Sequence, residues 1–155
     1  MQGIQAIAVF QGKVKGTVRF HEDPISPRHV IITIDLEGLK KNHLHGFHVH
    51  ERGDMSLACE SMCGHFNPYG RRHGCPGMKE RHVGDLGNLQ TDAQGKVNYM
   101  MRDNVIQLRG NKANIIGRGL VIHAGTDDCG QGENEASSIN GNAGKRIACA
   151  VIGLA

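Results

Sequence analysis

Val14-Lys15-Gly16-Thr17-Val18-Arg19-Phe20 and Val30-Ile31-Ile32-Thr33-Ile34-Asp35-Leu36 set the fold class, because in both stretches apolar side chains recur at every second position. On an extended chain that spacing puts Val18 and Phe20, or Ile32, Ile34 and Leu36, on one face and Lys15, Arg19 or Asp35 on the other, as half-buried antiparallel strands require. Residues 4–10 ahead of them read the same way, and further apolar stretches follow at 44–50, 86–91, 97–102, 115–123 and 146–152. Helical periodicity is nearly absent. Eight strands predict an all-β sandwich or barrel. Asp92-Ala93-Gln94-Gly95 predicts a hairpin turn, since glycine supplies positive φ at its last position.

Two connections, 51–83 and 124–145, exceed the roughly 12 to 15 residues that unstructured loops reach in compact domains without a functional reason. The first holds His65, His73 and His82 with Cys59, Cys63 and Cys75, and the second is rich in Gly, Asn and acidic residues, including Asp127-Asp128. Something besides an apolar core must order them.

At 155 residues the chain is long enough for one domain with a real core, and with no repeat or linker residues 1–155 read as a single unit. The net charge of +3 comes from scattered basic residues, so nucleic acid is not an expected partner and a small anionic substrate fits better. No apolar stretch approaches the roughly 20 residues of a membrane span, and residues 1–10 lack the charged and apolar regions of a secretion signal. The expectation is a soluble, cytoplasmic chain with no membrane partner. Five cysteines leave at least one without a partner within the chain, which suits a reducing compartment.

The ten histidines point to metal, because histidine is the commonest metal ligand. His48 and His50, at i and i+2 on a strand, point to one face; they read either as a ligand pair or as a solvent-facing pair. His65, His73, His82 and Asp85 make a complete tetrahedral zinc set, and His123 ends an apolar stretch just before the second loop. Those six histidines and Asp85 are seven donors, one short of two four-coordinate ions. A histidine stripped of both ring protons and shared between two ions closes the gap, although spacing does not say which one.

Gly46-Phe47-His48-Val49-His50-Glu51, His65-Phe66-Asn67-Pro68, Arg81-His82-Val83-Gly84-Asp85-Leu86-Gly87-Asn88 and Gly141-Asn142-Ala143-Gly144 closely resemble motifs of the copper-zinc superoxide dismutases, in order along nearly the whole chain. The resemblance implies an immunoglobulin-like, antiparallel Greek-key barrel of eight strands that disproportionates superoxide to oxygen and hydrogen peroxide. It implies one copper held by His48, His50, His65 and His123, one zinc held by His65, His73, His82 and Asp85, and His65 as the bridge. In the implied cycle copper alternates oxidation state while His65 releases the reduced ion and takes a proton. Asp127 resembles the aspartate that orients His48 and His73, its other reading being a loop-capping Asx turn. Arg146 resembles the arginine that receives superoxide, although a lone arginine otherwise reads as a surface solvator.

Cys59 and Cys149 stand where the family forms its disulfide, closing about 90 residues for roughly 4 to 5 kcal/mol by chain entropy. Cys63, Cys75 and Cys129 stand outside the family pattern: with nearby histidines Cys63 and Cys75 read as a Cys2His2 zinc site, as a second bridge, or, as expected here, as free thiols. His21, His29 and His43 are expected in solvent and His45 in packing, as are Phe66, Tyr69, Met100 and Met101. Gly125 and Ile139 replace family lysines and Ala136 a frequent acidic residue, so weaker steering of superoxide is expected. Arg52 occupies a position that is apolar in many dimeric members, yet 115–117 and 151–154 resemble interface stretches and imply a homodimer; a copper chaperone is a further implied partner. A non-catalytic module, such as the dismutase-like domain of a copper chaperone, is opposed by complete copper ligands with Arg146. A zinc-only protein leaves His48, His50 and His123 without a role.

Overall fold

A computed structural model describes residues 3–155 of the chain, and the alternation that opens the sequence becomes its first three strands. These are β1 (Gln5–Gln11), β2 (Lys15–Glu22) and β3 (Val30–Glu37), paired antiparallel with Ala8 opposite Val18 and Val18 opposite Ile34. Then come β4 (Leu44–His50), β5 (Asp85–Gln90), β6 (Val97–Asp103), β7 (Gly119–His123), β8 (Arg146–Val151) and the two-residue β9 (Gly153–Leu154). One sheet runs β6-β3-β2-β1-β9 and the other β5-β4-β7-β8, all antiparallel, with Greek-key crossings from sheet to sheet. Ala8, Phe20, Ile32, Ile34, Phe47, Leu89, Leu120 and Ile122 are fully buried between them. Each large side chain so removed from water contributes about 1.5 to 3 kcal/mol. A short turn of helix, α1 (Ser137–Asn140), lies in the second long loop.

Nine strands appear where eight are expected, because the stretch 146–152 leaves one sheet for the other. Ile152, buried in the core, separates β8 from β9, and β9 pairs with β1. The expected strand over 115–123 shortens to β7: Gly117 adopts φ +87° and the Arg118 N–H donates to the Ile115 carbonyl, which makes a turn of the first four residues. The turn at Asp92–Gly95 forms, with Gly95 at φ +77° and Asp92 Oδ1 accepting from the N–H groups of Gln94 and Lys96. It is a sheet-to-sheet corner and not a hairpin, because β5 and β6 belong to different sheets. Met100 projects outward, 66% exposed, where packing is expected, and Tyr69 is half exposed beneath the Lys112 ammonium; Met101 and Phe66 pack on the core.

Both irregularities in the second sheet fall where the histidines are. The β4–β5 register shifts between Gly46 and His48, and the β7–β8 register shifts between Ile122 and His123. Such bulges re-aim side chains. They bring His48 opposite Asp85 and His123 opposite Arg146.

Candidate metal centre

On β4, Phe47 and Val49 enter the core, so His48 and His50 turn to the opposite face, as the strand period demands. That face is not open to water. The two long loops cover it and leave His48, His50 and His123 no more than 4% exposed. Gly46 permits this approach: a Cβ there would stand 2.6 Å from the Ala143 Cβ of the covering loop.

The seven expected donors come together as two groups that share His65. In the first, the ring nitrogens of His48, His50, His65 and His123 lie within 4.8 Å of one another. The atoms concerned, His48 Nδ1, His50 Nε2, His65 Nε2 and His123 Nε2, are buried and have no hydrogen-bond partner. The opposite ring nitrogens are engaged: His50 Nδ1 donates to the Cys63 carbonyl at 2.8 Å, His123 Nδ1 to the Gly144 carbonyl at 2.9 Å and His48 Nε2 to Asp127 Oδ2 at 2.6 Å. Each tautomer is thereby set with a lone pair toward the common centre. A buried imidazole nitrogen without a partner is costly unless a metal takes it, so the set fits an ion.

In the second group Asp85 Oδ1 is the hub, 2.9 Å from His65 Nδ1, 3.0 Å from His73 Nδ1 and 3.3 Å from His82 Nδ1. His48 also lies within 4.8 Å of His65, His73 and Asp85, but its Nε2 is committed to Asp127 and its Nδ1 to the first group. His82, whose Nδ1 is also 3.2 Å from His65 Nδ1, is therefore the fourth donor here. Three imidazoles and one carboxylate make a donor set that fits zinc.

Asp127 joins the two groups by accepting from His48 and, at 2.7 Å through Oδ1, from His73 Nε2. It is a structural joint and not a loop cap alone, although the Cys129 N–H also donates to Oδ1. Gly141, at φ +71°, passes so close that a Cβ would overlap Asp127 Oδ1. Burial, then the neighbouring His65, pushes His48 down to about 3, and burial with His65 and Arg146 brings His123 down to about 4. Burial foremost likewise lowers His50 and His65. His73 goes the other way: burial opposes its charge, but hydrogen bonds to Asp127 and Asp85 outweigh it and raise the group to about 9. Both carboxylates are held well below the usual range, burial notwithstanding, by these histidines. A zinc ion needs the His73 Nδ1 lone pair, so metal binding would compete with the proton that these carboxylates favour.

Arg146 opens the first group to solvent. It lines a cavity of about 240 Å³ with His50, His65, His123, Ile139 and Ala143, and among the described residues it is the one permanently charged side chain there. Its Nη1 donates to the Cys59 carbonyl at 2.8 Å. Cys59 is bonded to Cys149, with Cα atoms 5.8 Å apart, so the bridge steadies the arginine's acceptor.

Other residues depart from expectation. Cys75 is paired with Cys129, which corrects the free-thiol reading and excludes both the Cys63–Cys75 bridge and the Cys2His2 site; Cys63 alone is free. His21, His29 and His43 are half-buried and not in solvent, because His29 Nδ1 meets the Ser26 hydroxyl and His43 Nε2 donates to the Ala124 carbonyl. His45 packs as expected, with Nδ1 on the carbonyl of His123. Ile139 stands 55% exposed at the cavity rim, the Gly125 N–H donates to the Ala143 carbonyl, and Ala136 precedes α1. Arg52 is exposed.

Two supporting residues stand inside quoted motifs without an expected role. Arg81, 5% exposed, forks onto Asp103 at 2.6 Å and 3.3 Å and donates to the carbonyls of His82 and Val83, so it anchors the zinc-side turn. Asn88 brackets the Asp127 backbone, accepting from its N–H at 2.7 Å and donating to its carbonyl at 3.0 Å. Their burial beside the ligands is a tertiary fact that residue spacing does not carry.

Residues 14–152 match the family model described as copper/zinc superoxide dismutase. The chain is 57% identical over 152 residues to a superoxide dismutase [Cu-Zn] of Paramecium bursaria Chlorella virus 1, covering 98% of this chain and 79% of that protein. It is 48% identical over 153 residues to one of Claviceps purpurea (strain 20.1), covering 97% and 98%. A crystal structure of the clock protein EA4 superposes with a TM-score of 0.93 at 38% identity, over 100% of this chain and 97% of that one.

Proposed function

The chain belongs to the copper/zinc superoxide dismutase family, and from that membership we propose how its own residues divide the work of disproportionating superoxide to oxygen and hydrogen peroxide. Its cofactors are copper and zinc. We assign copper to His48, His50, His65 and His123, and zinc to His65, His73, His82 and Asp85, within one domain over residues 1–155. The observation that carries the assignment is the set of four buried ring nitrogens without a partner, beside a second set gathered on Asp85. When bound, copper supplies one-electron redox chemistry and zinc a fixed positive charge.

The protein's own part follows from geometry. Arg146 receives the anionic substrate, because a permanently protonated guanidinium beside the cavity offers a charge-assisted contact. His65 moves the proton at Nε2, since its Nδ1 is held at Asp85. Asp127 orients His48 and His73, and the loops exclude bulk water from all but the Arg146 side.

We further propose a homodimer. Val151, 39% exposed, lies against Gly53, which follows Arg52 and meets Gly117, and Leu154 is 72% exposed; Ile115 and Ile152, in the stretches that resemble interfaces, are committed to the core. Sedimentation as a dimer supports this, and sedimentation only as a monomer contradicts it. A copper chaperone is a fitting partner for a site buried this deeply, and the free thiol of Cys63 is what favours a cytoplasmic location, against the two bridges Cys59–Cys149 and Cys75–Cys129. No helix among the described residues is long and apolar enough to cross a membrane.

Metal analysis with electron paramagnetic resonance tests the assignment. One copper and one zinc per chain, with a copper signal bleached by superoxide, is the expected result. Zinc alone would support the rival readings, a metal-binding module or a zinc-only protein.

A further inference from the structure

The bridge between Cys75 and Cys129 joins the two long loops, and its position relative to the zinc-side residues is specific. Cys75 follows His73 by two residues and Cys129 follows Asp127 by two. The covalent link thus brackets the His73 Nε2–Asp127 Oδ1 hydrogen bond, 2.7 Å long, at the same offset on both loops. Cys129 also reaches that oxygen directly, its N–H donating at 2.8 Å. The loops meet again where the His73 N–H donates to the Ser138 carbonyl, and where Gly130 lies so close to the His73 carbonyl that a Cβ would stand 2.6 Å from its oxygen.

The second loop is otherwise tied to β4 and β5 and to itself, through Asn88 on Asp127, Ala143 against Gly46, and Asp128 with Ser137, Gly141 and Asn142; among the described residues its hydrogen bonds to the first loop are the two that His73 makes. Residues 131–135 are exposed, and its helix is a single turn. A hydrogen bond between two loops forms only while they stay together. A covalent tie two residues away keeps its ends at high effective concentration, and the ordering is then complete before a ligand arrives.

We propose that Cys75 and Cys129 are positioning residues whose bridge holds Asp127 against His73 before any metal arrives, so that the zinc-side donors stand preassembled and bound zinc leaves slowly. This rests on the zinc assignment above. The bridge acts through Asp127, which also holds His48, so it steadies both groups of donors at their joint.

The test compares zinc release into excess chromophoric chelator from the wild type and from Cys75→Ala/Cys129→Ala, with Cys59–Cys149 intact, each in Asp127 and Asp127→Asn backgrounds. Removing the bridge should speed release about tenfold when Asp127 is present, the scale on which outer partners of ligands act. It should add little in Asp127→Asn, because the interaction it supports is already gone. Equal acceleration in both backgrounds, or none in either, overturns the proposal. Hydrogen exchange of the metal-free chain supplies an arm that needs no zinc: the hydrogen-bonded amides of His73 and Asp127 should be protected in the wild type and exchange faster in Cys75→Ala/Cys129→Ala. Equal protection in the two proteins overturns the proposal. Failure of the zinc assignment itself looks different: the wild type then retains no zinc to release.

Discussion

His65 presents Nδ1 to Asp85 Oδ1 at 2.9 Å, while Nε2, on the opposite side of the same ring, is buried without a partner beside His48, His50 and His123. One imidazole therefore belongs to two groups of donors. Everything else at the centre is arranged around that ring: β4 supplies His48 and His50, the bulge at Ile147 of β8 sets His123 opposite Arg146, and the first loop with the start of β5 brings His73, His82 and Asp85 to its other side.

Arg146→Ala should lower kcat/KM for superoxide about 10- to 100-fold while copper and zinc contents stay at wild-type levels, because the guanidinium faces the cavity and is not a ligand. Arg146→Lys should recover part of the loss, as a point charge without the fork. Pulse radiolysis on metal-analysed samples checks both; wild-type rates for the alanine variant would remove Arg146 from the account.

Ile139→Lys should raise kcat/KM several-fold at low ionic strength and make its fall with added salt steeper. Ile139 stands half exposed on the rim of a cavity whose lining, among the described residues, carries one permanent charge, Arg146, so one further cation there adds directly to the attraction of an anion. The slope of rate against ionic strength for the two proteins is the measurement. An unchanged slope places steering elsewhere on the surface.

Arg81→Ala should destabilise the folded chain by about 3 to 5 kcal/mol, since it leaves Asp103 buried without its partner. Urea unfolding of the metal-free protein measures this, with the midpoint moving down at unchanged slope. A loss below about 1 kcal/mol would mean that Asp103 is satisfied by the N–H groups of Val105 and Ile106 alone.

Stability of the metal-free protein should peak at about pH 7, where folded and unfolded chains hold equal numbers of protons, and fall on both sides. His48 and His123, pushed down to about 3 and about 4, stay neutral in the fold while the unfolded chain takes up protons below about pH 6.5. Stability is thus lost as pH falls from there, with His50 and His65 adding to the same limb and the two lowered carboxylates extending it at lower pH. His73 has the opposite sign: raised to about 9, it contributes stability that is fully present below about pH 6.5 and is lost as pH rises through 9. Each proton changes the slope by about 1.4 kcal/mol per pH unit, so the acid limb should be the steeper. Thermal unfolding between pH 4 and pH 10 checks the asymmetry.

The strands with strict alternation were legible in the sequence because burial there depends on one local variable. Val18, Phe20, Ile32 and Ile34 are in the core where their spacing places them. So were the ends of the long loops, and so were His48 and His50, whose shared face follows from a period of two. What covers that face was not legible, since the loops that bury it run without periodicity. The Cys75–Cys129 pair spans 54 residues between two such loops, and no local pattern relates its ends. Ile152 was misplaced for a related reason: an apolar residue inside an apolar run gives no sign that the chain changes sheets there. Arg81 and Asn88 support the centre through contacts with Asp103 and Asp127 that only the folded chain creates.

The shared ring of His65 is tested most directly by loading copper(II) into both sites and recording the electron paramagnetic resonance spectrum. A single imidazolate between the ions should couple their spins, so the spectrum of isolated copper should vanish into that of an interacting pair, and His65→Ala should restore two independent signals. Two uncoupled copper signals from the wild-type chain, carrying two copper ions, would contradict the assignment of His65 as the bridge.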